Sequence, residues 1–170
     1  MAEENTPDNQ AAQDNQQPKE QFAVQKIYVK DISFESPNSP HIFMEQATTT
    51  PPQYEMSYNI QEVGNNMYEV ALNMSLSLKV EEKTIFLVEL KQAGIFALVG
   101  FPEDKLKYML NGVCPNVLYP YIRETVSELI VRGGFQPLYL GVVNFEAMYM
   151  QRVQQEQAKA QAGEVNTSVN

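Results

Sequence analysis

The sequence predicts an α+β domain: a four-stranded antiparallel β-sheet, meander plus crossover strand, with two main C-terminal helices packed on one face. Three observations carry this. Runs of alternating polarity, joined by short polar turns, fill the N-terminal half. Apolar residues at steps of three and four follow in the C-terminal part. Strands precede helices rather than alternating with them, which separates α+β from a parallel α/β sheet.

The first strand is "FAVQKIYVKDISFE", Phe22 to Glu35, rich in β-branched and aromatic residues. Its alternation changes phase between Val24 and Ile27 and again near Lys30, which predicts a bulge or two. "SPNSP" turns the chain, and after "HIF" the Thr/Pro-rich "ATTTPPQ" crosses to another part of the sheet. "YEMSYNI" sets Tyr54, Met56, Tyr58 and Ile60 against Glu55, Ser57 and Asn59; "VGNN" is a turn. "YEVALNMSLSLKV" alternates without a break from Tyr68 to Val80, and "EEK" leads into "TIFLVELKQ", apolar on both faces at Ile85, Phe86, Leu87 and Val88.

"AGIFALVGF", 93–101, reads as an apolar loop between glycines, and "EDKLKYMLNGV" as a short helix. The main helix lies in "CPNVLYPYIRETVSELIVRGGF", where Leu118, Tyr121, Ile122, Val126, Leu129 and Ile130 form one stripe. Pro115 and Pro120 shape its entry, and Gly133 and Gly134 supply a left-handed stop. Asn144 caps a last helix, "FEAMYMQRV". Residues 1–20, with five acidic residues and one lysine, are expected to be a disordered acidic tail. The folded domain is then 21–153, and 154–170 is a polar, largely disordered tail that prolongs the helix by a turn or two.

Composition narrows the function classes. Twelve basic against 21 acidic residues give a net charge of -9 and a pI near 4.6. Nucleic acid and anionic membranes are poor partners for such a chain, whereas a basic protein fits it. One cysteine makes no internal disulfide, the first twenty residues lack an apolar export signal, and no run is long enough for direct membrane insertion, so a cytoplasmic location is expected.

Chemistry is sparse. His41 and Cys114 are the only histidine and cysteine, too few for a tetrahedral metal site within one chain; no metal or cofactor is expected. Cys114, before Pro115, reads as a small buried hydrophobe, and catalysis by Cys114 with His41 is the weakest reading. Asp31 and Glu35 share a strand face about 13 Å apart at 3.3 Å per residue. Paired glycosidase carboxylates sit at about 5–9.5 Å, so these two make no acid/base pair. With Ser33 between them they form an acidic stripe, a solvated face or a docking surface for a basic partner. Eight methionines, nine tyrosines and eight phenylalanines fit an ordinary core as well as an adaptable surface, but the two-sided apolar strand at 85–90 and the "AGIFALVGF" loop exceed what two helices on one sheet face need to cover, which implies oligomerisation or a binding groove.

The segments "IYVKDISFESPNSPHIF", "FLVELKQAGIFALVGF" and "CPNVLYPYIRETVSELIVRGGFQPLYLGVVNFEAMY" resemble the SecB family of Gram-negative protein-export chaperones, in the family's order from about Phe22 to Arg152. The resemblance implies a homotetramer, a dimer of dimers with helices between two eight-stranded sheets. It also implies an ATP-independent holdase, not an enzyme, that binds unfolded precursors and delivers them to the translocase ATPase SecA, whose own tail carries any zinc. SecA-binding positions fall on Asp31, Glu35, Leu87 and Glu89. Client-binding positions fall on Phe43, Phe86, Val88, Leu90 and Gln92, with Ile95 and Phe96 from the loop beside them. No aromatic occurs from Glu45 to Thr50, where family members often carry one. Leu118, Tyr121, Ile122 and Val126 are then expected to serve both their own sheet and the oligomer interface. A SecB-like chaperone for another client, such as an antitoxin, is the alternative.

Overall fold

The structure, a computed structural model, describes residues 19–45 and 50–165. Four strands, β1 (Gln21–Glu35), β2 (Gln53–Gly64), β3 (Met67–Val80) and β4 (Lys83–Val99), form one antiparallel sheet in the order β1-β4-β3-β2. The last three are the meander, and β1 crosses over to pair with β4. Its register slips between Val24 and Lys26 and between Val29 and Asp31, at the two phase changes in the sequence. Each slip is a bulge that returns the apolar set to one face.

The segment 93–101 is strand, not loop: β4 continues to Val99 and turns only at Gly100, φ 75°. It is the inner partner of both β1 and β3, so both of its edges are hydrogen-bonded. Gly94 is there for close approach, since a Cβ would lie 2.9 Å from Leu118 Cδ2 and from Phe96 Cε2.

The helical region also departs from expectation. Helix α1 (Glu103–Tyr108), a π-helical turn at Met109–Val113 and α2 (Cys114–Arg132) are continuous. Pro115 has no N–H for the Asn111 carbonyl four residues back, and the widened turn lies where that bond is lost. Pro120 lies inside α2 rather than at its entry. At the other end, Gly134 N–H donates to Val131 O at 3.0 Å and Phe135 N–H to Ile130 O at 3.1 Å, a Schellman stop. Only Gly134 is left-handed, φ 88°; Gly133 is right-handed, φ -70°.

Helix α3 (Phe145–Val165) starts as expected, with Ala147 N–H donating to Asn144 Oδ1 at 3.0 Å. It runs through the segment expected to be mostly disordered from residue 154. The disordered tail expected over 1–20 falls, apart from Lys19 and Glu20, outside the described residues, as do 166–170.

One apolar layer joins sheet and helices. Val70, Leu72, Leu76, Val88 and Phe96 on β3 and β4 meet Leu118, Ile122, Val126 and Ile130 on α2, all fully buried. Each such side chain contributes about 1.5–3 kcal/mol. Phe145 locks the start of α3 into this layer, edge-on to Tyr119 and Tyr58 at 5.6 and 6.5 Å. The opposite sheet face has no covering element among the described residues.

Candidate functional site: two faces of one strand

Successive residues of a strand point to opposite faces, and β4 uses both. On the open face, register sets Asp31 opposite Lys91, Ser33 opposite Glu89 and Glu35 opposite Leu87. The same β4 residues face Asn73, Ser75 and Ser77 of β3, and Glu55 of β2 stands opposite Ser75. Asp31, Glu35, Leu87 and Glu89 therefore share one surface. Glu89 lies across from the midpoint between the two β1 carboxylates, about 7–8 Å from each as a diagonal neighbour. A shallow depression of about 420 Å³ lies beside them, lined by Asp31, Glu55, Asn73, Glu89 and Lys91 among others. Glu55 and Lys91 belong to this surface and escaped the sequence reading, because only cross-strand register brings them to Asp31.

Further along the open face, Glu69 accepts hydrogen bonds from Tyr28 Oη and from Lys30 Nζ, the latter at 2.5 Å. Those two bonds, Lys30 first, hold the Glu69 carboxyl below its ordinary value of 4.5. The Glu69 bond, with burial, pushes the Tyr28 hydroxyl up to about 12.

On the helix-facing side, four phenylalanines converge where the β3–β4 hairpin meets the end of α2. Phe135 stands 5.1 Å from Phe43, 5.1 Å from Phe86 and 6.3 Å from Phe34, ring centre to ring centre. Beside them opens a hollow of about 550 Å³ lined by Ile42, Phe43, Leu78, Val80, Ile85 and Phe86 among others. Apolar and aromatic side chains make up most of its lining, with Glu45 and Gln136 also in the wall, and Phe43 is half exposed at its edge. Phe34 and Phe135 were missed in the sequence. The available signal was position: Phe135 directly follows the left-handed Gly134, where a Schellman stop places an apolar contact.

The structure brings only Phe43 and Phe86 of the expected client residues to this hollow. Val88, Leu90 and Phe96 lie on the same face of β4 but are buried. Gln92 is buried too and donates to the Tyr28 carbonyl at 3.0 Å, fastening β1 to β4. Ile95, one residue from Phe96, points to the open face. Of the expected interface residues, Leu118, Ile122 and Val126 are fully buried within the single chain, and Tyr121 alone is exposed. Val131 and Tyr139 are exposed nearby.

Cys114 is fully buried, and burial pushes its thiol up to about 12, far from the thiolate a nucleophile needs. His41 is exposed on a 3-10 turn, His41–Met44. Among the described residues no helix is long and apolar enough to cross a membrane.

Comparison with known proteins agrees with this fold. The family model described as "Preprotein translocase subunit SecB" matches residues 13–156. The chain is 47% identical over 150 residues to a protein-export protein SecB of Methylococcus capsulatus, covering 88% of this chain and 96% of the relative. It is 47% identical over 163 residues to that of Nitrosococcus oceani, covering 95% and 98%, and 49% identical over 150 residues to that of Dechloromonas aromatica, covering 87% and 95%. Among solved structures, a SecB-like chaperone of Mycobacterium tuberculosis in complex with a peptide from an antitoxin shares the fold. Its TM-score is 0.57 at 18% identity, covering 72% of this chain and 88% of that one.

Proposed function

The chain belongs to the SecB family of protein-export chaperones, and from that premise we propose that it is an ATP-independent cytoplasmic holdase that binds unfolded precursors and hands them to SecA. The observation that carries this reading is the division of labour within β4. Phe86 lines an aromatic hollow on one face, while Leu87 and Glu89 lie on the acidic surface of the other. Client and translocase can therefore be held at once.

The hollow suits an unfolded chain because apolar and aromatic side chains dominate its lining, so selection is for exposed apolar segments. Release requires no nucleotide, because a binder of the unfolded state only shifts the folding equilibrium by mass action. The acidic surface suits a basic segment of SecA, with Asp31, Glu35 and Glu89 supplying charge and Leu87 an apolar contact. Assembly into a tetramer supplies a use for Tyr121, Val131 and Tyr139, exposed in the single chain.

The test combines mass in solution with client refolding. A tetramer that slows refolding of a precursor, without binding the same protein once folded, is the expected result. Failure to bind any unfolded client would sink the proposal. Binding of an antitoxin segment with no affinity for SecA would favour a dedicated SecB-like chaperone instead.

A further inference from the structure

The aromatic hollow is partly closed by the 3-10 turn His41–Met44, which carries Ile42 and Phe43. The two ends of this turn are held differently. Upstream, Asn38 Nδ2 donates to the Thr84 carbonyl at 2.8 Å and Ser36 Oγ to the Ile85 carbonyl at 2.9 Å, two bonds to the β4 backbone. Downstream, at Glu45, the last described residue of the turn, an ion pair runs from Lys83 Nζ to Glu45 Oε1 at 2.5 Å, with both side chains about half exposed. Between these anchors, Phe43 rests on Phe135 at 5.1 Å and against Gly134, where an added Cβ would lie 3.4 Å from the ring.

We infer that the Glu45–Lys83 pair is a latch that holds this turn against the mouth of the hollow, with Phe43 as a half-exposed rim residue that an entering apolar segment displaces. The inference rests on the client-binding reading of the hollow. The anchors differ in kind: backbone-directed bonds at the β3–β4 hairpin persist in salt, whereas an exposed ion pair is weak and screened. Opening therefore pivots about Asn38 and frees Glu45 first. Because only the open form admits a client, apparent affinity scales with the open fraction, and loosening the latch raises it. Glu45 is itself part of the wall of the hollow, so the same residue that closes the turn stands at the mouth through which a client passes.

The test uses the full chain and four variants: Lys83→Gln, Glu45→Gln, the double neutral variant, and the charge swap K83E/E45K. Amide hydrogen exchange over residues 41–45 reads the latch directly. Binding of fluorescently labelled, reduced and carboxamidomethylated α-lactalbumin, a permanently unfolded probe, reads access to the hollow. Exchange and affinity are both expected to rise about two- to fivefold in each neutral variant, a range set by the modest strength of exposed pairs. The swap restores wild-type behaviour. In about 1 M salt, where the screening length falls to about 3 Å, wild type matches the neutral variants. Exchange unchanged in the neutral variants, or not restored by the swap, overturns the latch. Faster exchange with unchanged client affinity also overturns it as a control of access. Wild type that fails to bind the probe, with the exchange pattern intact, overturns the client-binding reading and leaves the latch standing.

Discussion

Gly133 lies against the ring of Phe34, so close that a Cβ at this position would fall 2.2 Å from Cζ and 2.7 Å from Cε1. The last turn of α2 is thereby seated on β1, and the ring beneath it is fixed by Phe86 at 6.1 Å and Phe135 at 6.3 Å. The glycine that reads as a helix stop is needed for its missing side chain, while its neighbour Gly134 is needed for its dihedral angle.

Gly133→Ala and Gly134→Ala should therefore both destabilise, for separable reasons. Alanine at 133 forces a confined ring to move, an overpacking cost of about 1–3 kcal/mol. Alanine at 134 stays in the left-handed region at about 1–2 kcal/mol. Phe34→Leu should recover part of the loss in the Gly133→Ala background and none in the Gly134→Ala background. Asparagine, which tolerates the left-handed region, should be accepted at 134 and rejected at 133. Urea titrations of this set decide it, and strict additivity of Gly133→Ala with Phe34→Leu would refute the contact.

Glu69 contributes to the acid limb of stability. Its carboxyl is held below 4.5 in the folded chain by Lys30 and Tyr28, while in the unfolded chain it titrates near that ordinary value. A group depressed on folding contributes stability above its unfolded value and loses it as pH falls through its folded value. Tyr28 has the opposite sense. Its hydroxyl, near 10 when unfolded and about 12 when folded, contributes below 10, and that contribution fades as pH rises towards 12. Glu69→Gln should flatten the stability profile below pH 4.5, and Tyr28→Phe should flatten it above 10. Acid and alkaline limbs that keep their wild-type slopes in these variants would refute the assignment.

The parts of the fold legible in the sequence were those with a local signal. The two bulges of β1 could be read because each breaks an alternation at a particular residue, Val24 and Lys30. Asn144 could be read as a cap because capping is completed within one turn. Gly94 was misread because glycine signals both a loop and a close backbone approach, and only the position of Leu118 across the layer decides between them. Pro115 and Pro120 read as the entry to a helix, yet a π-helical turn joins α1 to α2 ahead of one and α2 continues through the other. The acidic surface was half legible, Asp31 and Glu35 from strand period and Glu55 and Lys91 not at all. The aromatic hollow was less so, because Phe34, Phe43, Phe86 and Phe135 meet only after the whole sheet and α2 are assembled. The α2 stripe was visible, but periodicity does not say which surface covers it, and its own sheet takes Leu118, Ile122 and Val126.

Cys114 provides a test of packing against reactivity. With its thiol fully buried and pushed up to about 12, it should resist iodoacetamide in the native protein at neutral pH and react fully in denaturant. Cys114→Ser introduces a hydroxyl into an apolar site and should cost about 1–3 kcal/mol. Cys114→Ala should cost less, and neither should change client affinity once folding is allowed for. Rapid native alkylation, or loss of function in a stably folded Cys114→Ala protein, would restore a chemical role.

The two faces of β4 make the docking proposal separable from the client proposal. Asp31→Lys and Glu35→Lys place a cation beside Glu89 and Leu87 on the open face, opposite in direction to Phe86. Charge reversal at a complementary surface costs several kcal/mol when the contact is formed, so SecA affinity should fall about tenfold or more. Client affinity and thermal stability should hold, because both side chains are exposed and the hollow lies behind the sheet. Lys91 stands opposite Asp31 and offsets part of the local negative charge, so Lys91→Gln should strengthen the same contact. Raising salt should weaken wild-type docking and shrink the differences between variants, as the screening length drops from about 10 Å at 0.1 M to about 3 Å at 1 M. Titration of SecA by calorimetry at two salt concentrations reads all of these. Unchanged affinity in both Asp31→Lys and Glu35→Lys would remove the acidic surface from the docking site, whatever becomes of the hollow.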